Sequence, residues 1–217
     1  MALGPEQPTY GLSPNLVIDL RTGQSQGSLD LKDIAARYLD AIREVQGHGP
    51  YYLVGFSFGG RVALEVARSL SQAGEEVAML SVVDTYLCCV GWRYNLHWYA
   101  YHLRQLARHG PGRLLDHIRR VRALRRPEMR VTQAEAEIRQ YARDNYRAQP
   151  YAGDVILFRA LNRYGPAYSM DEYLGWKDIT RGALEVYDVP GDHYTMLSPP
   201  NVEVLAEKLR AYLPAAS

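Results

Sequence analysis

The sequence predicts an α/β fold, in which a mostly parallel β-sheet is flanked by helices. Short apolar and aromatic runs alternate along the chain with longer stretches whose apolar residues recur at helical spacing. That alternation is typical of parallel strands joined by helical connections. The chain has 217 residues, of which 47% are hydrophobic. This is enough for one substantial core, so we expect a single domain over residues 1–217.

Each element is predicted from local signals. Strands are expected where apolar residues run together, and helices where they recur every three or four positions. An acidic residue such as Asp30 favours a helix start, and a glycine such as Gly74 favours a helix end. In chain order we predict a strand at 7–12, a connection over 13–29, a helix from near Ser28 to Val45, a strand at 51–55, a helix at 58–73, a strand at 77–83, helical stretches at 91–109, 111–124 and 132–147, strands at 154–159 and 184–189, and a helix at about 201–212.

Residues 91–147 interrupt the alternation of strands and helices. They contain helical stretches without a strand-like run, so we interpret them as a lid inserted between two strands. Aromatic residues cluster at the start of this insertion. They either line a substrate pocket or pack the lid against the core, and the sequence favours neither. The candidates for substrate contact are Trp92, Tyr94 and Trp98.

Charge, hydropathy and cysteine content narrow the functional class. The formal net charge is +1, so the overall charge does not favour nucleic-acid binding. No apolar run reaches the roughly 18 residues of a membrane span, and residues 1–6 lack the basic and apolar regions of a signal peptide. Cys88 and Cys89 are adjacent and have no other partner in the sequence. We therefore expect reduced thiols and a cytoplasmic location.

The most informative motif lies at residues 53–60, which read Leu-Val-Gly-Phe-Ser-Phe-Gly-Gly. An apolar strand runs into Gly-x-Ser-x-Gly, with Ser57 at its centre, and a helical pattern follows. This context is typical of a nucleophile elbow, a sharp strand-to-helix turn that exposes a serine hydroxyl above a sheet. We expect glycine at positions 55 and 59 because side chains there would crowd the turn.

A nucleophilic serine needs a base and an acid that orients the base. In α/β-hydrolases the chain order is serine, then acid, then histidine. His193 follows the last predicted strand, at the sheet edge where such folds bind ligands. Asp84 ends the strand after the elbow helix, so we expect it at the same edge as Ser57. The acids in less favourable positions are Asp154, Asp188 and Asp192.

An oxyanion hole normally uses two backbone N–H groups. The first is assigned to Phe58, which follows the serine. The sequence before Tyr51 contains no strand followed by a glycine-rich turn that would supply the second.

Several stretches together resemble a chain-terminating (type I) thioesterase domain of modular polyketide synthases and nonribosomal peptide synthetases, within the α/β-hydrolase superfamily. The resemblance implies a triad of Ser57, Asp84 and His193. It also implies transfer of an acyl or peptidyl chain from the phosphopantetheine of a carrier protein onto the serine, with release by hydrolysis or macrocyclisation. No cofactor bound by the domain itself is implied. The matching stretches are residues 35–38, 49–52, 55–60, 81–86, 151–160, 175–176 and 189–197.

Members of that family usually carry an additional strand and a His-Pro-x-Gly-Gly-like loop upstream of the segment that matches residues 3–10. The resemblance therefore implies either a domain that is N-terminally truncated relative to the family or a member with an altered oxyanion hole, and we expect weak activity from this chain. Two other readings stay open. One is a stand-alone type II editing thioesterase that clears misprimed carriers, and the other is a non-catalytic hydrolase-like binding domain.

Residues 91–130 contain ten arginines and two acidic residues. Such a run is either a solvated face or a docking surface for an acidic carrier protein. The candidates for docking are Arg119, Arg120 and Arg122. Polyketide-synthase members of the family are often dimeric, so the resemblance also leaves a homodimer open.

Overall fold

A computed structural model describes most of the predicted elements. The strands are β1 (Ile18–Asp19), β2 (Gln24–Ser25), β3 (Tyr51–Phe56), β4 (Val77–Val83), β5 (Val155–Ala160) and β6 (Leu184–Val189). The helices are α1 (Leu31–Val45), α2 (Phe58–Gln72), α3 (Gln133–Asn145), α4 (Trp176–Ile179) and α5 (Asn201–Arg210). The described residues are 3–4, 7–12, 18–19, 24–25, 27–87, 96–97, 99–101, 103–104, 106–107, 133–162 and 171–214.

The centre of the fold is a parallel sheet of four strands in the order β3-β4-β5-β6. The strands β1 and β2 form a separate antiparallel pair. The predicted α/β class, with a parallel sheet flanked by helices, is therefore confirmed.

Helices cover both faces of the sheet. Successive strand residues point to opposite faces. Leu80 and Val82 of β4 pack in one apolar cluster with Leu64 of α2, whereas Met79 of the same strand packs in another with Leu205 of α5. The sheet is thus the middle layer of three.

The first residue of α1 is determined by the side chain of Asp30. Asp30 lies in extended backbone, and its carboxylate accepts a hydrogen bond from the N–H of Lys32 at 2.8 Å. This is an N-cap, which satisfies a backbone donor that the helix itself cannot. Ser28 in turn accepts from the N–H of Asp30. The helix therefore begins at Leu31, rather than near Ser28 as predicted.

Two other predictions change. Residues 7–12 form no strand; Tyr10 is 73% exposed, so this run lacks the burial that would stabilise one. In the predicted lid, the described positions between 96 and 107 are helical and α3 corresponds to the stretch at 132–147. The stretch at 111–124 lies outside the described residues. The limits of the domain and of the lid stay predictions.

Because the four strands run parallel, their carboxyl ends meet at one edge of the sheet. The edge is formed by Phe56, Val83, Ala160 and Val189. The residues that follow these strand ends carry the candidate site. Within the described part of the chain, no helix is long and apolar enough to cross a membrane.

Candidate active site

Ser57 occupies the turn between β3 and α2. Its backbone has φ 54° and ψ −117°, a conformation that residues other than glycine rarely adopt. The N–H of Ser57 donates to the carbonyl of Val83 at 2.8 Å, and its carbonyl accepts from the Thr85 hydroxyl at 3.0 Å. The strained turn is therefore fixed to both neighbours of Asp84. The serine side chain makes no capping hydrogen bond to α2.

The glycines around the serine do not all have the predicted role. A Cβ at Gly55 would lie 2.5 Å from the carbonyl oxygen of Gly59, so a side chain there is excluded as expected. A Cβ at Gly59 would meet nothing within 4 Å, and the prediction for that position is wrong. The second crowded position is Gly60, where a Cβ would lie 2.8 Å from the Cβ of Thr85. Glycine is required at position 60 because α2 packs closely against Thr85, in the segment that follows β4.

Asp84 lies at the end of β4 and is completely buried. Its Oδ1 accepts a hydrogen bond from the N–H of Ala160 at 3.1 Å, and its Oδ2 accepts from the Tyr86 hydroxyl at 3.1 Å. The same Oδ2 lies 2.6 Å from Nδ1 of His193. Hydrogen bonds of this kind favour the ionised carboxylate. A carboxylate at Nδ1 holds the ring proton there, which leaves Nε2 as the acceptor.

His193 lies in a turn between β6 and α5, with its side chain 26% exposed. Its ring stacks on Phe56 with a centroid distance of 5.0 Å, and Tyr194 meets it edge-on at 5.4 Å. Asp192 builds the turn, because its Oδ1 accepts from the N–H groups of Tyr194 and Thr195. The imidazole is thus held by the turn and by an aromatic neighbour as well as by the carboxylate.

The other candidate acids have different contacts. Asp188 accepts from Nε of Arg159 at 2.9 Å. Asp154 accepts from the N–H of Ala183 at 2.7 Å, at the opposite end of the sheet. Asp84 is the carboxylate that the structure brings to His193.

Phe58 is the first residue of α2. Its N–H has no acceptor within the helix, since the first four N–H groups of a helix lack one. The positive end of the helix dipole lies at the same place. This N–H suits a developing negative charge beside Ser57. Among the described residues we assign no second donor.

A serine at a strained elbow and a buried carboxylate–imidazole pair at one sheet edge are what an acyl-transfer site requires. A family model described as "Thioesterase domain" matches residues 11–213. The chain belongs to the thioesterase domain family. This confirms the predicted resemblance, and the fold is of the α/β-hydrolase type.

Two solved thioesterases and a synthetase are similar to this thioesterase domain. It is 30% identical over 223 residues to malpinin synthetase from Mortierella alpina, covering 97% of this chain and 3% of the synthetase. It is 26% identical to the thioesterase domain of NocB in a covalent complex with a fluorophosphonate nocardicin G analogue, with a TM-score of 0.59 over 91% of this chain and 81% of that one. The RedJ thioesterase of the Streptomyces coelicolor prodiginine pathway, 21% identical with a TM-score of 0.61, covers 87% of this chain and 73% of its own; it supports the fold alone.

The thioesterase domain contains two site neighbours that sequence reasoning missed. Tyr86 donates to Asp84, as described above, and Trp176 is fully buried and donates from Nε1 to the carbonyl of Thr85 at 2.8 Å. Both residues fall in stretches that resemble the family, but no local pattern shows which distant atom each side chain reaches.

Other predicted site residues of the thioesterase domain cannot be placed. They lie outside the described residues and stay predictions. These are the substrate candidates Trp92, Tyr94 and Trp98 and the docking candidates Arg119, Arg120 and Arg122.

Proposed function

We propose that this domain is a serine thioesterase that accepts an acyl or peptidyl chain from a carrier-protein phosphopantetheine thioester. Ser57 takes the chain as an ester, and hydrolysis or macrocyclisation releases it. The observation that carries this proposal is the 2.6 Å hydrogen bond between His193 Nδ1 and the buried Asp84 carboxylate, at the sheet edge that bears the elbow serine.

In the first half-reaction, Ser57 Oγ forms a bond to the thioester carbonyl carbon while His193 Nε2 takes its proton. The N–H of Phe58 stabilises the oxyanion of the tetrahedral intermediate. The C–S bond then breaks, and the imidazolium returns the proton to the departing thiolate. In the second half-reaction, His193 removes a proton from water, or from a hydroxyl or amine of the chain, as that group attacks the ester carbonyl. Ser57 leaves with the proton.

The burial of Asp84 supports its role in this scheme. A charge interacts more strongly inside a protein than in water, so a carboxylate that is 0% exposed stabilises an imidazolium effectively. Its bond to the N–H of Ala160 holds it in place through both half-reactions.

The carrier-bound substrate is supported by the family and by the relative. The sequence similarity to malpinin synthetase extends over 97% of this chain, and a chain assembled by a synthetase must be released from its thioester. The identity of the chain depends on the pocket, and several of the candidate pocket residues lie outside the described structure.

Labelling with a fluorophosphonate probe tests the nucleophile. We expect one label on Ser57, and its loss in His193→Ala. His48→Ala is the matched control, because that side chain is 92% exposed and lies away from the site. An Asp84→Asn variant should lower kcat for a synthetic acyl thioester by about 10⁴-fold, the loss known for the equivalent change in a serine protease. Absence of label in the folded wild-type domain would favour the binding-domain reading instead.

A further inference from the structure

Tyr86 links the acid of the site to the base. Its hydroxyl donates to Asp84 Oδ2 at 3.1 Å, and this oxygen is the one that faces His193 Nδ1. The Tyr86 ring also lies beside the imidazole, with centroids 6.0 Å apart and planes inclined by 47°. One side chain therefore contacts both members of the pair.

The main chain of Tyr86 is held from the elbow helix. Arg61 lies in the first turn of α2 and donates to the Tyr86 carbonyl from Nε at 2.9 Å and from Nη2 at 2.5 Å. The next residue, Leu87, donates its N–H to the carbonyl of Leu174 at 2.7 Å. Because Arg61 is four residues from Ser57, the position of Tyr86 is tied to that of the serine.

We propose that Tyr86 is a positioning residue, which fixes the Asp84 carboxylate against His193 and limits the negative charge that the carboxylate offers to the imidazole. The proposal rests on the serine thioesterase function proposed above. The χ2 torsion of an aspartate, which turns its carboxylate, takes a broad range of values when no contact restrains it. The Ala160 N–H restrains Oδ1. The Tyr86 hydroxyl restrains Oδ2 through a second hydrogen bond, in addition to the one between Oδ2 and His193.

Removal of the hydroxyl has two expected effects. The carboxylate gains freedom to rotate away from Nδ1, which lowers kcat. Oδ2 also keeps more of its charge for the imidazolium, which moves the acid limb of the pH profile upward. Among the described residues, the other titratable groups beside the imidazole include Tyr194 at its edge and Asp192 in its turn, and this substitution changes neither.

The experiment compares Tyr86→Phe with Tyr187→Phe. Tyr187 is the matched control, since its hydroxyl donates to the Glu185 carboxylate at 2.9 Å and to no member of the site. With an acyl N-acetylcysteamine thioester, Tyr86→Phe should lower kcat by about 10- to 100-fold, which corresponds to the loss of a hydrogen bond to a charged group. KM should change by less than about twofold, and the acid limb should move up by about half a pH unit. Tyr187→Phe should match wild type.

A second measurement does not depend on turnover. The low-field proton NMR resonance of the hydrogen-bonded Nδ1–H of His193 should shift in Tyr86→Phe and stay in place in Tyr187→Phe. An unmoved resonance overturns the role of Tyr86 even in a domain without activity. If the wild-type domain neither labels nor hydrolyses, but the resonance still shifts in Tyr86→Phe, only the proposed function is overturned.

If Tyr86→Phe fails to fold, a second variant with 3-fluorotyrosine at position 86 tests the same proposal. This residue keeps the ring and is a stronger donor, so the acid limb should move down rather than up. An unchanged pH profile in an active domain overturns the proposal.

Discussion

Gly60→Ala tests how closely the elbow helix packs against the segment that carries Asp84. A Cβ at position 60 would lie 2.8 Å from both Cβ and Cγ2 of Thr85, well inside the usual contact of about 3.5–4.0 Å. Thr85 is fully buried, and its hydroxyl donates to the Ser57 carbonyl. It therefore cannot turn away without losing that hydrogen bond. Gly59→Ala is the matched control, because a Cβ there meets nothing within 4 Å.

The two substitutions should change stability in opposite directions. Alanine in a helix is favoured over glycine by about 0.5–1 kcal/mol, so Gly59→Ala should raise the free energy of unfolding by that amount. At position 60 the same gain is opposed by overpacking of about 1–3 kcal/mol and by about 1 kcal/mol for the weakened hydrogen bond. We expect a net loss of about 2 kcal/mol, or about 4–8 °C in Tm for a domain of this size.

Urea unfolding and thermal melts of the two variants measure the difference. In a double-mutant cycle, Thr85→Ala should cost less in the Gly60→Ala background than in wild type, since it removes the colliding Cγ2 and leaves only the Cβ contact. Equal stability of Gly60→Ala and Gly59→Ala, or strict additivity in the cycle, would refute the packing argument.

Two further predictions concern buried and surface carboxylates. Tyr146→Phe removes the hydroxyl that donates to the buried Glu65 at 2.7 Å and should cost about 1–3 kcal/mol in urea unfolding. Burial and the Glu65 charge raise the pKa of Tyr146, so this contribution is present at neutral pH and is lost as the pH rises above the usual tyrosine pKa; a constant difference from Tyr146→Phe at alkaline pH would contradict it. The hydrogen bond from the Gly49 N–H, helped by His48, lowers the pKa of Glu75. Glu75→Gln should therefore be less stable than wild type near neutrality and should converge with it as the pH falls through that lowered pKa; parallel stability curves would argue against this.

Local pattern predicted the elements whose signals are complete within a short window. The apolar run ending at Asp84 became β4, and the helical spacing after Ser57 became α2. The parallel arrangement then follows from alternation, and with it the common edge for the two residues. The predicted start of α1 was too early, because the Asp30 carboxylate caps the helix and makes Leu31 its first residue.

Local sequence patterns did not predict contacts between segments that are distant in the chain. Gly60 is required because of Thr85, which lies 25 residues later, and the motif itself points to Gly59. The single-turn helix α4 is too short for periodicity to reveal, although its Trp176 supports the Thr85 carbonyl. The hydroxyl of Tyr86 reaches Asp84 through a turn whose geometry the sequence does not display. Residues 7–12 have strand-like composition but form no strand.

The backbone of Ser57 has a consequence for how variants of this domain can be selected. Its φ of 54° costs a serine about 1–3 kcal/mol, whereas glycine adopts such a conformation freely. After the greater chain entropy of glycine is subtracted, Ser57→Gly should still stabilise the fold by about 1 kcal/mol. A library screened for expression or heat resistance alone would therefore enrich chains that lack the proposed nucleophile. A screen that retains Ser57 must include acylation as well as folding.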